Sequence, residues 1–208
     1  LITRNDIALP SDLWYPATAN IQPSRSTQYV FGIDKFFDEE SYQTSIEFYY
    51  RDMKNIYEFK NSPEINPLNN SIEDQFVQGV GEAYGMELFF QKREGKFIGW
   101  IGYTLAWTKR KFDDLNLGRV FYPKYDRRHD LSLAATYSLN DQITFGATFT
   151  YATGMRYNAP TGQFIFSPIG ISGPSQVLLD YDDLNTNKFP AYHKLDLNFN
   201  YKIRFTKT

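Results

Sequence analysis

Polar and apolar residues alternate without exception in Lys194-Leu195-Asp196-Leu197-Asn198-Phe199-Asn200-Tyr201-Lys202-Ile203-Arg204-Phe205. Because successive side chains of a β-strand point to opposite faces, all the apolar residues of this stretch share one face and all the polar residues share the other. Residues 143–151 repeat the pattern, with large apolar side chains alternating with threonine and glycine. The sequence therefore predicts an all-β chain whose strands are apolar on one side only.

Very short turns and long polar connections alternate between the predicted strands. The short turns lie at residues 38–41, 94–96 and 139–142, and each joins two strands of alternating pattern. Short turns at one end and long loops at the other are typical of an antiparallel outer-membrane β-barrel, with its periplasmic turns and extracellular loops. The seven predicted strands are Tyr29–Phe37, Tyr42–Tyr57, Ala83–Arg93, Phe97–Thr108, His129–Ser138, Ile143–Tyr151 and Ala191–Phe205.

A sheet with one apolar face occurs in two environments. In a soluble sandwich that face packs on a second sheet, and in a barrel it contacts lipid. Strand length favours the barrel, because a strand that crosses a bilayer needs about 9–11 residues, whereas soluble strands cluster near about 5–6. The first strand alternates less clearly, and a bulge is expected near Lys35.

Aromatic residues on the apolar face are placed near both ends of the predicted strands. Tyr103, Trp107 and Tyr151 lie toward the long loops, and Phe97 and Tyr137 lie toward the short turns. This distribution predicts the two aromatic girdles that outer-membrane barrels place at the membrane interfaces.

Composition restricts the alternatives. The chain has no cysteine, so disulfides and thiolate chemistry are excluded. A net charge of −2 argues against a nucleic-acid surface. No run reaches the roughly 18 apolar residues that mark a membrane helix.

The predicted strand count is odd, whereas single-chain bacterial barrels have even counts. An open sheet is costly in lipid, because its edges carry unpaired backbone groups. We therefore expect a piece of a longer polypeptide, truncated at both ends. Residues 1–23 would be an extracellular loop or strand-entry segment, and residues 24–208 a partial outer-membrane β-barrel.

Several motifs follow one another along the chain. Gly79-Val80-Gly81-Glu82-Ala83-Tyr84-Gly85-Met86-Glu87-Leu88 precedes Gly99-Trp100-Ile101-Gly102-Tyr103-Thr104-Leu105. Pro123-Lys124-Tyr125-Asp126-Arg127-Arg128-His129-Asp130-Leu131 comes next, and Phe189-Pro190-Ala191-Tyr192-His193-Lys194-Leu195-Asp196-Leu197 lies further along. Asp12-Leu13-Trp14-Tyr15-Pro16 fits the entry to an earlier strand. In this order the chain resembles the late barrel strands of TonB-dependent outer-membrane receptors, of the type common in Bacteroidetes.

The resemblance implies a barrel of 22 strands with a plugged lumen, in the outer membrane of a Gram-negative cell. Such receptors import large nutrient ligands such as metal chelates, cobalamin, glycans or peptides, and TonB supplies the energy by acting on the plug. The expected partners are outer-membrane lipid, the protein's own plug domain, TonB and the ligand. A surface lipoprotein is a further candidate partner.

Ligand contacts are expected in the long loops at about residues 60–78, 110–128 and 154–190, because binding residues concentrate on loops carried by a rigid scaffold. Within the third loop, Phe164, Ile165 and Phe166 would form a small hairpin or fold inward. No catalytic residue, cofactor or metal ligand is predicted. The candidate ligand contacts in the loops and lumen are Tyr122, Tyr125, Tyr157, Tyr181 and Trp100.

Two polar clusters have a functional and an ordinary interpretation. The oxygen-rich segment at residues 180–187 has side chains that could bind calcium, but it lacks the loop glycine and distal glutamate of a calcium hand, so a solvated loop is favoured. The cluster from Asp126 to Asp130 contains His129 without a serine or cysteine partner at readable spacing. A strand-entry ion pair or hydrogen-bond network is therefore favoured over catalysis.

A set of charged residues lies on the predicted inward face. Buried charges need partners, so these residues would pair across strands, or with a plug, or would tune an open pore; the plug-facing role is favoured. The set is Glu47, Arg51, Glu87, Arg93, Lys194, Asp196, Lys202 and Arg204.

Three functions stay open at this point. The leading hypothesis is part of an energised outer-membrane receptor that is not an enzyme. The second is a passive pore, or a barrel that serves assembly or secretion. The third is a soluble all-β binding module, which would behave as a monomer without detergent.

Overall fold

The computed structural model describes residues 16–60, 72–166, 176–181 and 183–203. Seven long strands form one antiparallel sheet in which neighbours along the chain are neighbours in space, and the last long strand pairs with β6. This confirms the predicted all-β, antiparallel architecture; in these residues the sheet is open. The strands are β1 (Arg25–Phe37), β2 (Tyr42–Phe59), β3 (Phe76–Lys92), β4 (Phe97–Phe112), β5 (His129–Ser138), β6 (Ile143–Ala152), β7 (Arg156–Tyr157), β8 (Pro160–Phe166), β9 (Gln176–Tyr181), β10 (Asn187–Lys188) and β11 (Tyr192–Tyr201).

Four of these strands are short and belong to the third long connection. β8 pairs with β9, which confirms the hairpin predicted around Ile165, and β7 pairs with β10. Two single 3₁₀ turns lie at Ile72–Gln75 and Asn116–Gly118. No helix among the described residues has the length and apolar character to cross a bilayer.

Three long strands extend at the long-loop end by four or more residues beyond their predicted limits. β3 begins at Phe76 instead of Ala83, β4 ends at Phe112 instead of Thr108, and β1 begins at Arg25 instead of Tyr29. The added residues continue the backbone ladder, but several of them are charged or glycine. They therefore lack the apolar alternation that marks a strand in the sequence.

The prediction of a bulge near Lys35 is wrong. β1 and β2 pair in continuous register from Arg25 opposite Lys54 to Phe37 opposite Tyr42. The irregularity lies between β2 and β3 instead, at Asn55, whose φ of 54° is in the left-handed region. Asparagine tolerates that region better than most residues, and the inserted residue exchanges the faces of the strand beyond it.

The register places aromatic residues at both ends of the apolar face. Residues directly opposite each other share a face, so Phe97, Tyr137, Phe145 and Phe199 form one row near the short turns. The row near the long loops is Tyr29, Tyr50, Tyr84 and Trp107, in which the Tyr84 and Trp107 rings stack at 5.4 Å.

Side chains on the opposite, polar face lean across glycines. A Cβ at Gly85 would lie 2.9 Å from the Tyr49 ring, and one at Gly146 would lie 2.6 Å from the Asn198 amide. Both contacts are too close for another side chain, so these glycines make room for larger inward neighbours.

No protein layer covers the apolar face between the two girdles among the described residues. Leu197 is 74% exposed and Phe145 is 45% exposed, as expected for side chains whose natural solvent is lipid. Buried apolar residues lie instead at the long-loop end. One cluster, Val77, Phe112, Leu115 and Phe121, lies on the polar side, and a second, Ile21 and Phe76, lies on the apolar side.

Candidate ligand-facing site at the long-loop end

The second long connection folds back on the inward side of the sheet. Phe121 and Arg110 form an antiparallel bridge with two backbone hydrogen bonds of 2.9 Å. Phe121 then packs with Phe112 and Val77, which fixes the chain beside the ends of β3 and β4. The residues that follow are thereby held against the strands rather than in open solvent.

Asp126 is the centre of a buried polar network. Its carboxylate is almost fully buried and accepts the Thr108 backbone N–H at 3.0 Å. It also accepts hydrogen bonds from Arg128 at 3.3 Å and from Arg156 at 3.0 Å. The network joins β4, the second connection and β7, and it confirms the ion-pair interpretation of the cluster that begins at Asp126.

The histidine of that cluster is engaged elsewhere. His129 lies on the apolar face, where its Nδ1 is 2.7 Å from the Tyr103 hydroxyl and the two rings stack at 6.1 Å. Its side chain is therefore directed away from Asp126 on the polar side.

Guanidinium groups cover the aromatic rings above β4. Arg156 lies 4.2 Å from the centroid of Tyr122, and Arg128 lies 5.6 Å from the same ring and 4.5 Å from Trp107. Stacked cations of this kind are attracted by the ring quadrupole. Tyr122 thus has a role in holding the loops together.

Asn185 closes the network from the third connection. It is almost fully buried with a φ of 58° and donates its side-chain N–H to the Tyr122 carbonyl at 2.8 Å. Its backbone N–H donates to Asn158 at 2.6 Å, and its carbonyl accepts from Arg156. Its Oδ1 is buried without a hydrogen-bond partner among the described atoms.

The oxygen-rich segment that suggested calcium is used differently where it is described. Asp183 forms an ion pair with Arg119 at 2.6 Å, and Asn185 is committed to the loop network. Asp182 and the side chain of Asp180 lie outside the described residues. Across the described ranges, no three acidic or histidine side chains converge as a metal site would require.

Tyr125 presents an open aromatic surface on the inward side of this end. The Arg110 guanidinium contacts both the Tyr125 hydroxyl and the Glu58 carboxylate, and it lies 5.2 Å from the Tyr125 ring centroid. Burial of the hydroxyl raises the pKa of Tyr125, and the neighbouring Arg110 charge opposes that rise. The residue is nevertheless 54% exposed, so its ring can meet an incoming ligand.

The four candidate ligand contacts whose side chains the structure describes do not form one site. Tyr122 lies in the network, Tyr125 contacts Arg110, and the rings of Tyr157 and Phe189 pack at a tilt with their centroids 4.4 Å apart. The side chain of Tyr181 lies outside the described residues. Trp100 faces inward near the short-turn end, 39% exposed, with its ring 6.3 Å from that of Phe89.

Two of the inward charges, both arginines, pair with amides. Arg51 contacts Gln28 at 2.8 Å, and Arg93 contacts Gln91 at 3.1 Å. Lys194 and Asp196 pair along one strand at 2.7 Å, and Arg204 lies outside the described residues.

Glu47 and Glu87 face each other across β2 and β3. Asp130 lies in the same row, separated from Glu87 by Thr104. These three carboxylates give the row an excess of negative charge on the inward face. Like charges directly opposite each other are unfavourable, so the row needs a positively charged partner.

Sequence reasoning missed the partners that complete the network. Arg110, Arg156 and Asn185 come from three separate segments, and nothing local distinguishes them from other loop residues. The one available signal was asparagine itself, which is enriched at left-handed positions such as Asn185.

Comparison with known proteins gives one finding. A family model described as TonB dependent receptor-like, beta-barrel matches residues 6–207. A search of curated proteins and a search of solved structures returned no significant match.

Proposed function

The chain belongs to the TonB-dependent receptor-like β-barrel family, and from this membership we propose that it forms part of the wall of an outer-membrane receptor that imports a large ligand using energy from TonB. The family comprises receptors and transporters of the Gram-negative outer membrane. The ligand would be a metal chelate, cobalamin, a glycan or a peptide. We further propose that the receptor is of the type common in Bacteroidetes and that a surface lipoprotein is one of its partners.

The observation that carries the proposal is the sidedness of the sheet. Apolar side chains between the two aromatic rows are exposed on one face, whereas the other face carries mainly polar side chains and glycines, with Ile98 and Trp100 among the exceptions. In a barrel, the apolar face would contact lipid on the outside and the polar face would line the interior.

The acidic row on the inward face supports a plug-facing role. Glu47, Glu87 and Asp130 lie in one row. In a plugged lumen, basic side chains of the plug would neutralise them, because charges removed from water need partners.

Ligand contact is proposed at two levels of the interior. At the long-loop end, the exposed ring of Tyr125 and the adjacent Arg110 would meet the ligand first, with Tyr122, Tyr157 and Tyr181 around them. Trp100 lies deeper and could stack on a ligand or on the plug.

Uptake by cells tests the proposal. The complete reading frame is expressed in its host, with and without TonB, and accumulation of a labelled metal chelate, cobalamin and an oligosaccharide is measured. We expect accumulation of one of them only when both proteins are present. Accumulation that persists without TonB would support a passive pore instead.

A vesicle experiment separates the same alternatives without the ligand. The full-length protein is reconstituted in liposomes, and swelling in small sugars is measured. A plugged receptor gives no swelling, whereas a passive pore gives rapid swelling. A protein that stays soluble without detergent would contradict both membrane functions.

A further inference from the structure

Three aromatic side chains interrupt the polar, inward face of the sheet near its short-turn end. They are Phe36, Phe89 and Trp100, here called the aromatic shelf. Phe36 is 44% exposed and Trp100 is 39% exposed, and the rings of Phe89 and Trp100 stack with their centroids 6.3 Å apart. Exposed apolar groups gathered on one part of a surface mark a contact site. The shelf therefore needs a partner that the sheet does not supply.

The surroundings of Trp100 leave one face of its ring open. A Cβ at Gly102 would lie 3.7 Å from the Trp100 ring, so the ring lies close over that glycine of its own strand. The residue opposite Trp100 on β5 is Ala134, and Thr148 follows on β6. None of these neighbours is large enough to cover the ring. An incoming group can therefore lie flat on it from the interior.

Polar side chains beside the shelf hold one another in place. Gln43 lies in register between Phe36 and Gln91. It donates a hydrogen bond to Asp34 at 2.9 Å. Arg93 donates to the side-chain oxygens of Gln43 and Gln91, and its guanidinium lies 5.1 Å from the Phe36 ring centroid. The charges of Asp34 and Arg93 offset each other, so this rim is polar, fixed and neutral overall.

We propose that the aromatic shelf binds the sugar rings of an oligosaccharide as it leaves the interior at the short-turn end. A pyranose ring has an apolar face of C–H groups and an edge of hydroxyl groups. Stacking surface from the shelf and the donors and acceptors of the glutamine amides match these two features. The neutral rim offers no charge to a metal chelate. The inference rests on the proposed function and narrows its ligand to a glycan.

A segment of the plug would be the alternative partner, and the rim argues against it. Protein packed permanently on this surface would remove Asp34, Arg93 and the amides from water, and such groups then need further partners. A ligand in transit leaves them hydrated. Because TonB acts on the plug before a ligand reaches this end, the shelf would contribute to transport and not to binding at the long loops.

Uptake of defined oligosaccharides tests the shelf. The full-length protein is expressed in its host with radiolabelled neutral hexasaccharides of glucose, mannose, galactose, xylose or fructose, beside cobalamin and a ferric chelate. We expect import of a hexasaccharide, and Trp100→Ala should slow it about fivefold, the contribution of one ring contact. Binding to cells that lack TonB should be unchanged, since the long loops are intact. Trp100→Phe should restore most of the uptake rate.

Ile98→Ala is the matched control, because Ile98 is the next inward residue toward the short turn, is 37% exposed and lies outside the shelf. It should import the hexasaccharide at the wild-type rate. Unchanged uptake by Trp100→Ala would overturn the proposal, as would import of cobalamin or the chelate in place of every hexasaccharide. Rapid swelling of vesicles that contain Trp100→Ala would assign the residue to packing on the plug instead. Hexasaccharide uptake that persists without TonB, or import of none of the probes, would contradict the proposed function itself.

Discussion

At the scale of single residues, Asp126 shows how a loop is fixed to a strand without a hydrophobic core of its own. Its carboxylate accepts one backbone N–H of β4 and two arginine side chains, Arg128 and Arg156, which are themselves mostly buried. Breaking a buried ion pair is costly because it leaves the partner charge uncompensated. The two arginines thus make Asp126 the residue on which the arrangement of Tyr122 depends.

We expect Asp126→Asn to destabilise this end by about 3–5 kcal/mol, the usual range for removing one partner of a buried pair. The measurement is urea unfolding of the full-length protein in lipid vesicles, together with hydrogen exchange of the peptide that contains the Thr108 amide. Exchange at Thr108 should become faster as well, because its backbone N–H loses the ionised acceptor of Asp126.

Asp113→Asn is the control, because Asp113 is an exposed aspartate of the same connection. It should leave both measurements within about 0.5 kcal/mol of the wild type, as surface substitutions usually do. Equal effects of the two variants would show that the carboxylate of Asp126 does not hold the network.

Part of this network was visible in the sequence and part was not. The ion pair between Asp126 and Arg128 is local, so composition near a strand entry was enough to predict it. Arg156 and Asn185 join from distant segments, and their contacts depend on how two loops meet over β4. The alternation of polar and apolar residues along a strand carries no information about how two loops pack against each other.

At the scale of strands, Asn55 determines which side chains face inward near the long loops. Before it, Lys54 lies opposite Val80; after it, Ile56 lies opposite Gly79, so the faces of β2 are exchanged. Ile56 can then pack on the inward cluster.

Asn55→Val should therefore cost about 1–2 kcal/mol, the penalty for an ordinary residue in the left-handed region. The measurement is again unfolding of the full-length protein in vesicles. Asn200→Val makes the same change at an ordinary, exposed strand position on β11 and should be nearly neutral. A neutral Asn55→Val would mean that the bulge moves or disappears without cost.

Strand limits were predictable only inside the lipid-facing band. β5 runs from His129 to Ser138 as predicted, because each second residue along it faces lipid. β4 continues through Lys109 and Lys111 to Phe112, where the outward side chains are cations and not apolar residues. The backbone ladder persists there, but the apolar period that reveals a strand does not.

At the scale of the whole molecule, the two ends of the sheet should lie on opposite sides of a membrane. The chain has no cysteine, so introduced thiols are unique within it. We expect a membrane-impermeant maleimide to label Leu117→Cys on intact cells, because Leu117 is 88% exposed in a long connection. Lys96→Cys, in a short turn, should react only after the outer membrane is permeabilised.

The unmodified full-length protein serves as the background control for labelling. Reaction of Lys96→Cys alone on intact cells would mean that the barrel is oriented the other way. Equal reaction of both variants without permeabilisation would mean that the sheet does not cross the membrane.

Depth in the bilayer provides the most direct test of which face meets lipid. Leu133 pairs with Ile101 and Phe149 midway between the aromatic rows, whereas Phe199 lies in the row near the short turns. Leu133→Arg should cost about 2–4 kcal/mol and Phe199→Arg about 0–1 kcal/mol, because an outward arginine is least tolerated at the midplane. The free energy of unfolding from vesicles in guanidinium chloride measures both. Ser132→Arg, one residue away on the inward face, should cost less than Leu133→Arg, since its charge enters a polar interior. If the inward arginine proved the more damaging of the two, the assignment of lipid and lumen to the two faces would have to be reversed.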